Sequence, residues 1–386
     1  MLPTTTTMKI VDPQQADKFP MYRVTDTSGK VLPDAVVPDL TEDDAQKMYR
    51  TMGRIQAVDN IFYNAQRQGR VSFYMQNDGE EAIHIGTASA LQPQDMILAQ
   101  YREVGVLLWR GFSVQQLADQ CFSNEKDLGK GRQMPVHYGS RDLNFQTISS
   151  PLTTQLPQAA GAAYAMKLAK MDAVTVVFFG EGAASEGDFH AGMNFAATLE
   201  APCVFICRNN GYAISTPVKD QFRGDGIISR AAGYGMYCIR VDGNDFLAVQ
   251  QATKAARELA LEQNRPVFIE FMTYRRGHHS TSDDSSRYRE ASEIEFWNTN
   301  HNPMQRFRAY LEEKGWWNEA QETEMRESER AAVLTALETA EVRPKPPMEE
   351  LFEDVYHEKP AHLVKQLEEL KAHVAKFPEH YAGDGH

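Results

Sequence analysis

Cysteine is scarce. Cys121, Cys203, Cys207 and Cys238 form neither a CxxC pair nor a zinc-ligand spacing, and three of them stand in apolar, strand-like runs. Buried free thiols in a reducing compartment are therefore expected, and a disulfide scaffold or zinc module is excluded. Positive charge is also in deficit: 40 Lys and Arg stand against 53 Asp and Glu, a net charge of −13, which argues against a nucleic-acid partner. No apolar run approaches the roughly 20 residues of a membrane-spanning helix, so a soluble protein without membrane contact is expected. The opening MLPTTTTMKI lacks the apolar core of a secretory signal and the arginine-rich amphipathic pattern of an organelle presequence; either no such signal exists or it has been removed. GxxxxGK[ST] is absent, which removes the P-loop enzymes, and there is no internal repeat or low-complexity tract.

What the chain has is length and apolar content. Its 386 residues are 42% hydrophobic, enough for one large domain or a core domain with appended helices. It is organised around residues 174–212, where a β-rich apolar run ends at Gly180-Glu181-Gly182, a helix-like segment follows, and a second apolar run ends at Asn209-Asn210-Gly211. In a parallel sheet, ligands gather at the carboxyl ends of the strands. The glycines let backbone approach a ligand closely, and Glu181 and Asn210 offer hard oxygens of the kind Mg²⁺ shares with phosphate. Either turn alone is ordinary; the two together, each straight after an apolar run, point to a metal–diphosphate site.

Residues 1–40, rich in proline, threonine and aspartate, read as an extended arm suited to packing on a partner. Thr41, followed by Glu42, Asp43 and Asp44, caps a helix running toward Gln68, with Met48, Met52, Ile55, Val58, Ile61 and Phe62 facing the core. A second helix carries Ile83, His84 and Ile85, with His84 expected as a satisfied core or interface histidine. An alanine-rich helix is expected over 157–170, and segments 237–241, 246–263 and 266–274 continue a βαβ cadence. The expectation is an α/β domain over 41–300, a parallel sheet with helices on both faces, and a helical extension over 301–386 for subunit contact. Within that extension Leu351, Phe352, Val355 and Tyr356 are the expected anchor. Segment 275–289 has too little apolar surface to bury itself, so it is expected to be disordered or ordered by a ligand.

These motifs carry a family resemblance. GEG…NN resembles the thiamine-diphosphate motif GDG…NN, with the glutamate variant of the branched-chain 2-oxoacid dehydrogenase decarboxylase alpha subunits. QYRE at 100–103, ISSPLTTQ at 148–155 and GHHSTSDDSS at 277–286 are similar to further segments of that family, in family order, over about 39–356. The resemblance implies a thiamine-diphosphate-binding α/β fold. It also implies oxidative decarboxylation of the 2-oxo acids of leucine, isoleucine and valine, with acyl transfer to lipoyl groups of a dihydrolipoyl transacylase core. Thiamine diphosphate contacts are implied for Gln100, Tyr101, Arg102, Ser150, Leu152, Gly180, Glu181, Gly182, Ala183, Arg208 and His279, with His279 also catalytic. Glu181, Asn210 and the Tyr212 carbonyl are implied as Mg²⁺ ligands, and Ser149, Pro151, Thr154 and Gln155 as a K⁺ site. Arg102 suits its role because a guanidinium fork binds two phosphate oxygens at once.

In a eukaryotic member, Ser280 is implied as the serine that a regulatory kinase phosphorylates and a phosphatase restores; a phosphate there adds up to about two negative charges beside an anionic cofactor. Members with a second phosphoserine carry it where this chain has Glu290. No residue here can be assigned as the carboxylate that activates the cofactor ring. The resemblance therefore implies a beta subunit supplying it, in an α2β2 heterotetramer. The pyruvate dehydrogenase alpha subunit is the neighbouring reading, although its loop usually has one histidine where this chain has His278-His279-Ser280. A non-catalytic regulatory subunit of the same fold is the third. The implied compartment is the mitochondrial matrix, or the cytoplasm of a bacterium.

Overall fold

Thr41 caps the first long helix, α1 (Glu42–Arg67), by accepting a hydrogen bond from the Asp44 N–H, and three acids in the first turn complement the helix dipole. Its Met48, Met52, Ile55, Val58, Ile61 and Phe62 are all buried, as their spacing predicts. The computed structural model describes residues 4–381. In chain order the other elements begin with β1 (Met21–Tyr22), α2 (Glu81–Ser89), β2 (Met96–Leu98), α3 (Val104–Trp109), α4 (Val114–Cys121) and β3 (Phe145–Gln146). The central part holds α5 (Gln155–Leu168), β4 (Thr175–Gly180), α6 (Gly187–Thr198), β5 (Cys203–Asn209) and a small hairpin of β6 (Tyr212–Ala213) and β7 (Thr216–Pro217). Then come α7 (Val218–Gln221), α8 (Ile228–Gly233), β8 (Tyr237–Asp242), α9 (Phe246–Gln263), β9 (Val267–Met272), α10 (Ala291–Asn300), α11 (Pro303–Glu313), α12 (Glu319–Glu341) and α13 (Ala361–Lys376).

The main sheet has seven strands in the order β1-β8-β9-β5-β4-β2-β3, and every pairing in it is parallel. Helices cover both faces, which is why β4 and β5 read as nearly continuous apolar runs. Alternate residues supply two cores: Val176, Phe178, Val204 and Ile206 join α1, α2, α9, α11 and α12 on one side, while Val177, Phe179, Phe205 and Cys207 join α5, α6 and α8 on the other. Cys121, Cys203 and Cys207 are buried free thiols; Cys238 is free and half-buried. No helix among the described residues is long and apolar enough to cross a membrane.

Four expectations need correction. The arm is partly sheet: Met21 and Tyr22 pair with Arg240 and Val241 at the edge, and Val24 is fully buried. The alanine-rich helix starts at Gln155, ahead of Pro157, because a first-turn proline has no intrahelical bond to lose. The helical extension expected for subunit contact is in part built into the domain, since Met304, Phe307, Met325, Val333 and Leu337 enter the larger core; α13, by contrast, buries only Leu367.

Segment 275–289 is the fourth. It is ordered by its own polar contacts. Asp283 accepts from the His279 N–H at 2.7 Å and the Tyr288 hydroxyl at 2.5 Å. Arg289 donates to the Arg275 and Gly277 carbonyls, and Thr281 exchanges hydrogen bonds with the Tyr74 backbone at 3.0 and 3.1 Å. Guanidinium groups bonded to main-chain carbonyls do here what an apolar cluster does elsewhere.

Candidate active site at the carboxyl edge of the sheet

Strands β4 and β5 pair in register up to Gly180↔Arg208, so Glu181 and Asn210 leave the sheet side by side. Glu181 is 1% exposed. One carboxylate oxygen accepts from the Asn210 N–H at 3.2 Å and the other from Gln221 Nε2 at 3.3 Å. Burial pushes its carboxyl up because these donors are neutral and offset little of the desolvation. Asn210 turns its NH₂ group to Glu80, 2.7 Å away, and its Oδ1 has only a long contact, 3.4 Å, from the Tyr212 N–H. At Gly180 a Cβ would meet nothing nearer than the Arg208 carbonyl at 4.0 Å, so the backbone is open to a ligand. Gly182 is glycine for another reason: its Cβ would stand 2.5 Å from that of Ala213.

A buried charge cluster underlies this edge. Arg208 lies 2.6 Å from Glu80 and 2.5 Å from Glu103, Glu103 accepts from the Gln100 N–H at 2.9 Å, and Gln100 Oε1 accepts from the Gly180 N–H at 2.8 Å. Burial alone would raise the Glu80 carboxyl, but Arg208 and Arg102 outweigh it and hold it below its usual value. Arg102 donates to the Gln76 carbonyl and, at 3.0 Å, to the His279 carbonyl, and its guanidinium sits over the Tyr101 ring. Tyr101 in turn meets the His279 ring edge-on. Thus Gln100, Tyr101, Arg102, Gly180, Glu181, Arg208, Asn210 and His279 converge. Arg208, 1% exposed, has its charge balanced inside the protein, which leaves Arg102 and Arg275 as the guanidinium groups nearest His279.

The other implied residues differ in exposure and partners. Ser150 Oγ lies 2.7 Å from His137 Nε2, while His137 Nδ1 lies 3.1 Å from the Pro135 carbonyl and so donates to it. Leu152 is exposed, Ala183 is buried, and the Tyr212 carbonyl accepts from Arg275 at 3.4 Å. Thr154 donates to the Pro151 carbonyl at 3.1 Å, Gln155 Nε2 donates to the Phe178 carbonyl at 3.0 Å, and Ser149 is exposed. Between them Thr153 has φ 66, a strained value for a β-branched residue, and a buried hydroxyl without a partner. Ser280 is 6% exposed and its hydroxyl accepts from the Ser282 N–H at 3.3 Å, so the hydroxyl is closed off from solvent.

Two histidines are held neutral. Burial, reinforced by Arg102 and Arg275, lowers His279 to about 3. Burial also lowers His84 to about 3, although Glu80 and a backbone hydrogen bond at Arg102 act the other way, so it is a neutral core histidine. A neutral His279 imidazole can donate or accept a hydrogen bond but carries no counter-charge. Both values lie below the roughly 6.5 of an unfolded histidine. At these two groups the unfolded chain thus binds more protons than the folded one below that pH, and the stability they contribute is lost as pH drops from about 6.5 toward 3. His279→Asn is expected to flatten this acid-side decline in melting temperature; an unchanged slope between pH 5 and 7 would contradict it.

Sequence reading assigned no site role to Glu80, Glu103, His137 or Gln221. The available signal was charge balance: two arginines beside apolar runs, once buried, need acids, and Glu103 directly follows Arg102.

A buried acid with neutral partners, an amide oxygen and a backbone carbonyl on one edge form a hard-oxygen donor set that fits a Mg²⁺ shared with phosphate. Among the described residues no group of three or more His, Cys, Asp or Glu could hold a metal ion. The dehydrogenase E1 component family matches residues 49–349. The mitochondrial 2-oxoisovalerate dehydrogenase subunit alpha 1 of Arabidopsis thaliana is 54% identical over 377 residues, 98% of this chain and 80% of its own. The corresponding alpha subunit of Caenorhabditis elegans is 54% identical over 375 residues, 97% and 87% of the two chains, and that of Homo sapiens 52% over 377, 98% and 85%. A family match across most of the chain, with relatives this similar over nearly all of it, shows that the chain belongs to the dehydrogenase E1 component family.

Proposed function

We propose that the chain is the alpha subunit of a branched-chain 2-oxoacid dehydrogenase, binding the diphosphate end of thiamine diphosphate through Mg²⁺. The observation that carries this is the Glu181–Asn210 edge, where a buried acid with neutral partners lies beside an amide whose NH₂ group is already engaged by Glu80. Glu181, Asn210 Oδ1 and the Tyr212 carbonyl would hold the metal. Arg102 and Arg275 would meet the phosphate oxygens, with Ser150, Leu152, Gly182 and Ala183 along the cofactor. Thiamine diphosphate, when bound, supplies the electron sink for decarboxylation of a 2-oxo acid. The neutral His279 imidazole can donate or accept a hydrogen bond at the diphosphate end, and the ordered 275–289 segment keeps water out.

None of these residues is a carboxylate for the ring end of the cofactor, so the active site requires a beta subunit, as an α2β2 tetramer. The names of the relatives favour substrates of the 2-oxoisovalerate type and a mitochondrial setting, as does the GHHSTSDDSS loop over the pyruvate dehydrogenase reading. Residues 1–40 and 301–386 would contribute subunit contacts, with the exposed Leu351, Val355 and Tyr356 seated on the partner. Delivery of the acyl group to a lipoyl-bearing transacylase core, regulation at Ser280 by a kinase and phosphatase, and a K⁺ site at Ser149, Pro151, Thr154 and Gln155 complete the proposal.

The test is a comparison of 3-methyl-2-oxobutanoate with pyruvate as substrate for the enzyme reconstituted with its beta chain. A higher kcat/KM for the branched substrate, by about a hundredfold, is expected, because a pocket shaped for an isopropyl group gains on the order of 1–3 kcal/mol from it. Equal turnover, or preference for pyruvate, contradicts the assignment. Replacing KCl by NaCl at constant ionic strength is expected to lower the melting temperature if the 149–155 turn holds K⁺, and no change removes that site.

A further inference from the structure

Glu80 belongs to none of the residue sets discussed above as metal or cofactor ligands, yet it is completely buried and touches the metal edge through a single side chain. One carboxylate oxygen accepts from Asn210 Nδ2 at 2.7 Å, the other from an Arg208 Nη at 2.6 Å, and the Arg102 Nε lies 3.8 Å from the first. A carboxylate only accepts hydrogen bonds. The Asn210 amide must therefore present its NH₂ group to Glu80 and its oxygen to the opposite side. We propose that Glu80 is the positioning residue of the metal site, fixing the Asn210 amide so that oxygen rather than nitrogen is offered to the cation. The proposal rests on the reading of Glu181 and Asn210 as Mg²⁺ ligands.

A glutamine at position 80 makes the logic decisive, because it has one acceptor and one donor where Glu80 has two acceptors. Arg208 can only donate, so it claims the glutamine oxygen. The glutamine NH₂ is then left facing Asn210, which has to flip and turn its own NH₂ toward the metal. An NH₂ group does not ligate Mg²⁺. An aspartate at 210 has no such failing orientation: one of its oxygens accepts from the glutamine and the other stays on the metal.

The experiment titrates Mg²⁺ into the assembled α and beta chains at saturating thiamine diphosphate, following cofactor binding by calorimetry rather than turnover. Glu80→Gln is expected to raise the half-saturating Mg²⁺ by about ten- to a hundredfold, the usual range for a residue that orients a metal ligand. Asn210→Asp alone is expected to weaken binding as well, by placing two carboxylates face to face. The double variant Glu80→Gln/Asn210→Asp is expected to return to within about threefold of the parent, a coupling that additive effects cannot produce. A Glu80→Gln protein with parental Mg²⁺ dependence overturns the proposal, as does a double variant no better than the two losses combined. If Glu80→Gln fails to assemble, the double variant decides: near-parental Mg²⁺ dependence supports the role, and loss of binding removes it. A parental complex that binds thiamine diphosphate without Mg²⁺ overturns the functional reading itself, an outcome distinct from parental behaviour in Glu80→Gln.

Discussion

Glu181→Ala is expected to cost about 3–5 kcal/mol of Mg²⁺-dependent cofactor binding, several hundredfold or more, the penalty for leaving a buried charge without its partner. Loss of activity should follow, because Glu181 is the only carboxylate of the proposed metal set. The stability of the cofactor-free protein should move the other way. The Glu181 carboxyl is pushed up by burial among neutral donors, so the charged group is a burden on the fold, and Glu181→Gln is expected to leave the melting temperature unchanged or raised while abolishing binding. Opposite signs in the two measurements mark a site held at a cost in stability. A variant that loses stability and retains Mg²⁺-dependent binding contradicts the assignment, and unchanged complex activity in Glu181→Ala favours a non-catalytic subunit of the same fold.

The second large effect lies far from the chemistry. Arg306 on α11 is 3% exposed and joins three separate stretches of chain. It lies 2.9 Å from Asp242 at the end of β8, 3.0 Å from Asp245, and donates to the Thr25 hydroxyl at 2.9 Å and the Thr25 carbonyl at 2.5 Å. Asp245 also accepts from the Val24 and Thr25 N–H groups at 2.8 and 2.7 Å and caps α9. Arg306→Ala leaves buried Asp245 without its guanidinium and Asp242 with only the part-exposed Arg23, and is expected to destabilise the protein by about 3–5 kcal/mol in denaturant unfolding, with faster amide exchange at Val24 and Thr25. A loss below about 1 kcal/mol, the range of an exposed pair, would contradict the view that the N-terminal arm and the helical extension are parts of one core.

The legible portion of this fold is the portion whose segments bury apolar side chains locally. β4 and β5 are readable because both faces are covered and the runs are unbroken. α1 is readable because Thr41 and three acids open an apolar stripe, and α9 because its apolar residues recur at helical spacing after Asp245. The two-residue strands β1 and β3 offer no such pattern, and only their neighbours make them strands. Gly53 gives no local hint that it leaves room for Met325 of α12, whose Sδ would stand 2.7 Å from a Cβ there.

The site divides in the same way. Glu181 and Asn210 stand out because each directly follows an apolar run, and Arg102 and His279 because their motifs resemble a family. The Glu80–Arg208 pair joins residues 128 apart in sequence, and nothing local in the GEEA stretch distinguishes Glu80 from Glu81. Segment 275–289 is illegible by apolar content, which is the wrong measure of order for it. Its arginines, bonded to main-chain carbonyls, order it instead.

The central claim is that this chain supplies half of an active site and that the ring-end carboxylate arrives on another chain. Its most direct measurement is the rate of 3-methyl-2-oxobutanoate decarboxylation, with thiamine diphosphate and Mg²⁺, by the purified chain alone and by the chain mixed with its beta partner. The account predicts turnover only in the mixture, with any Mg²⁺-dependent cofactor binding by the isolated chain leading to no product. Decarboxylation by the isolated chain at the rate of the mixture would contradict it.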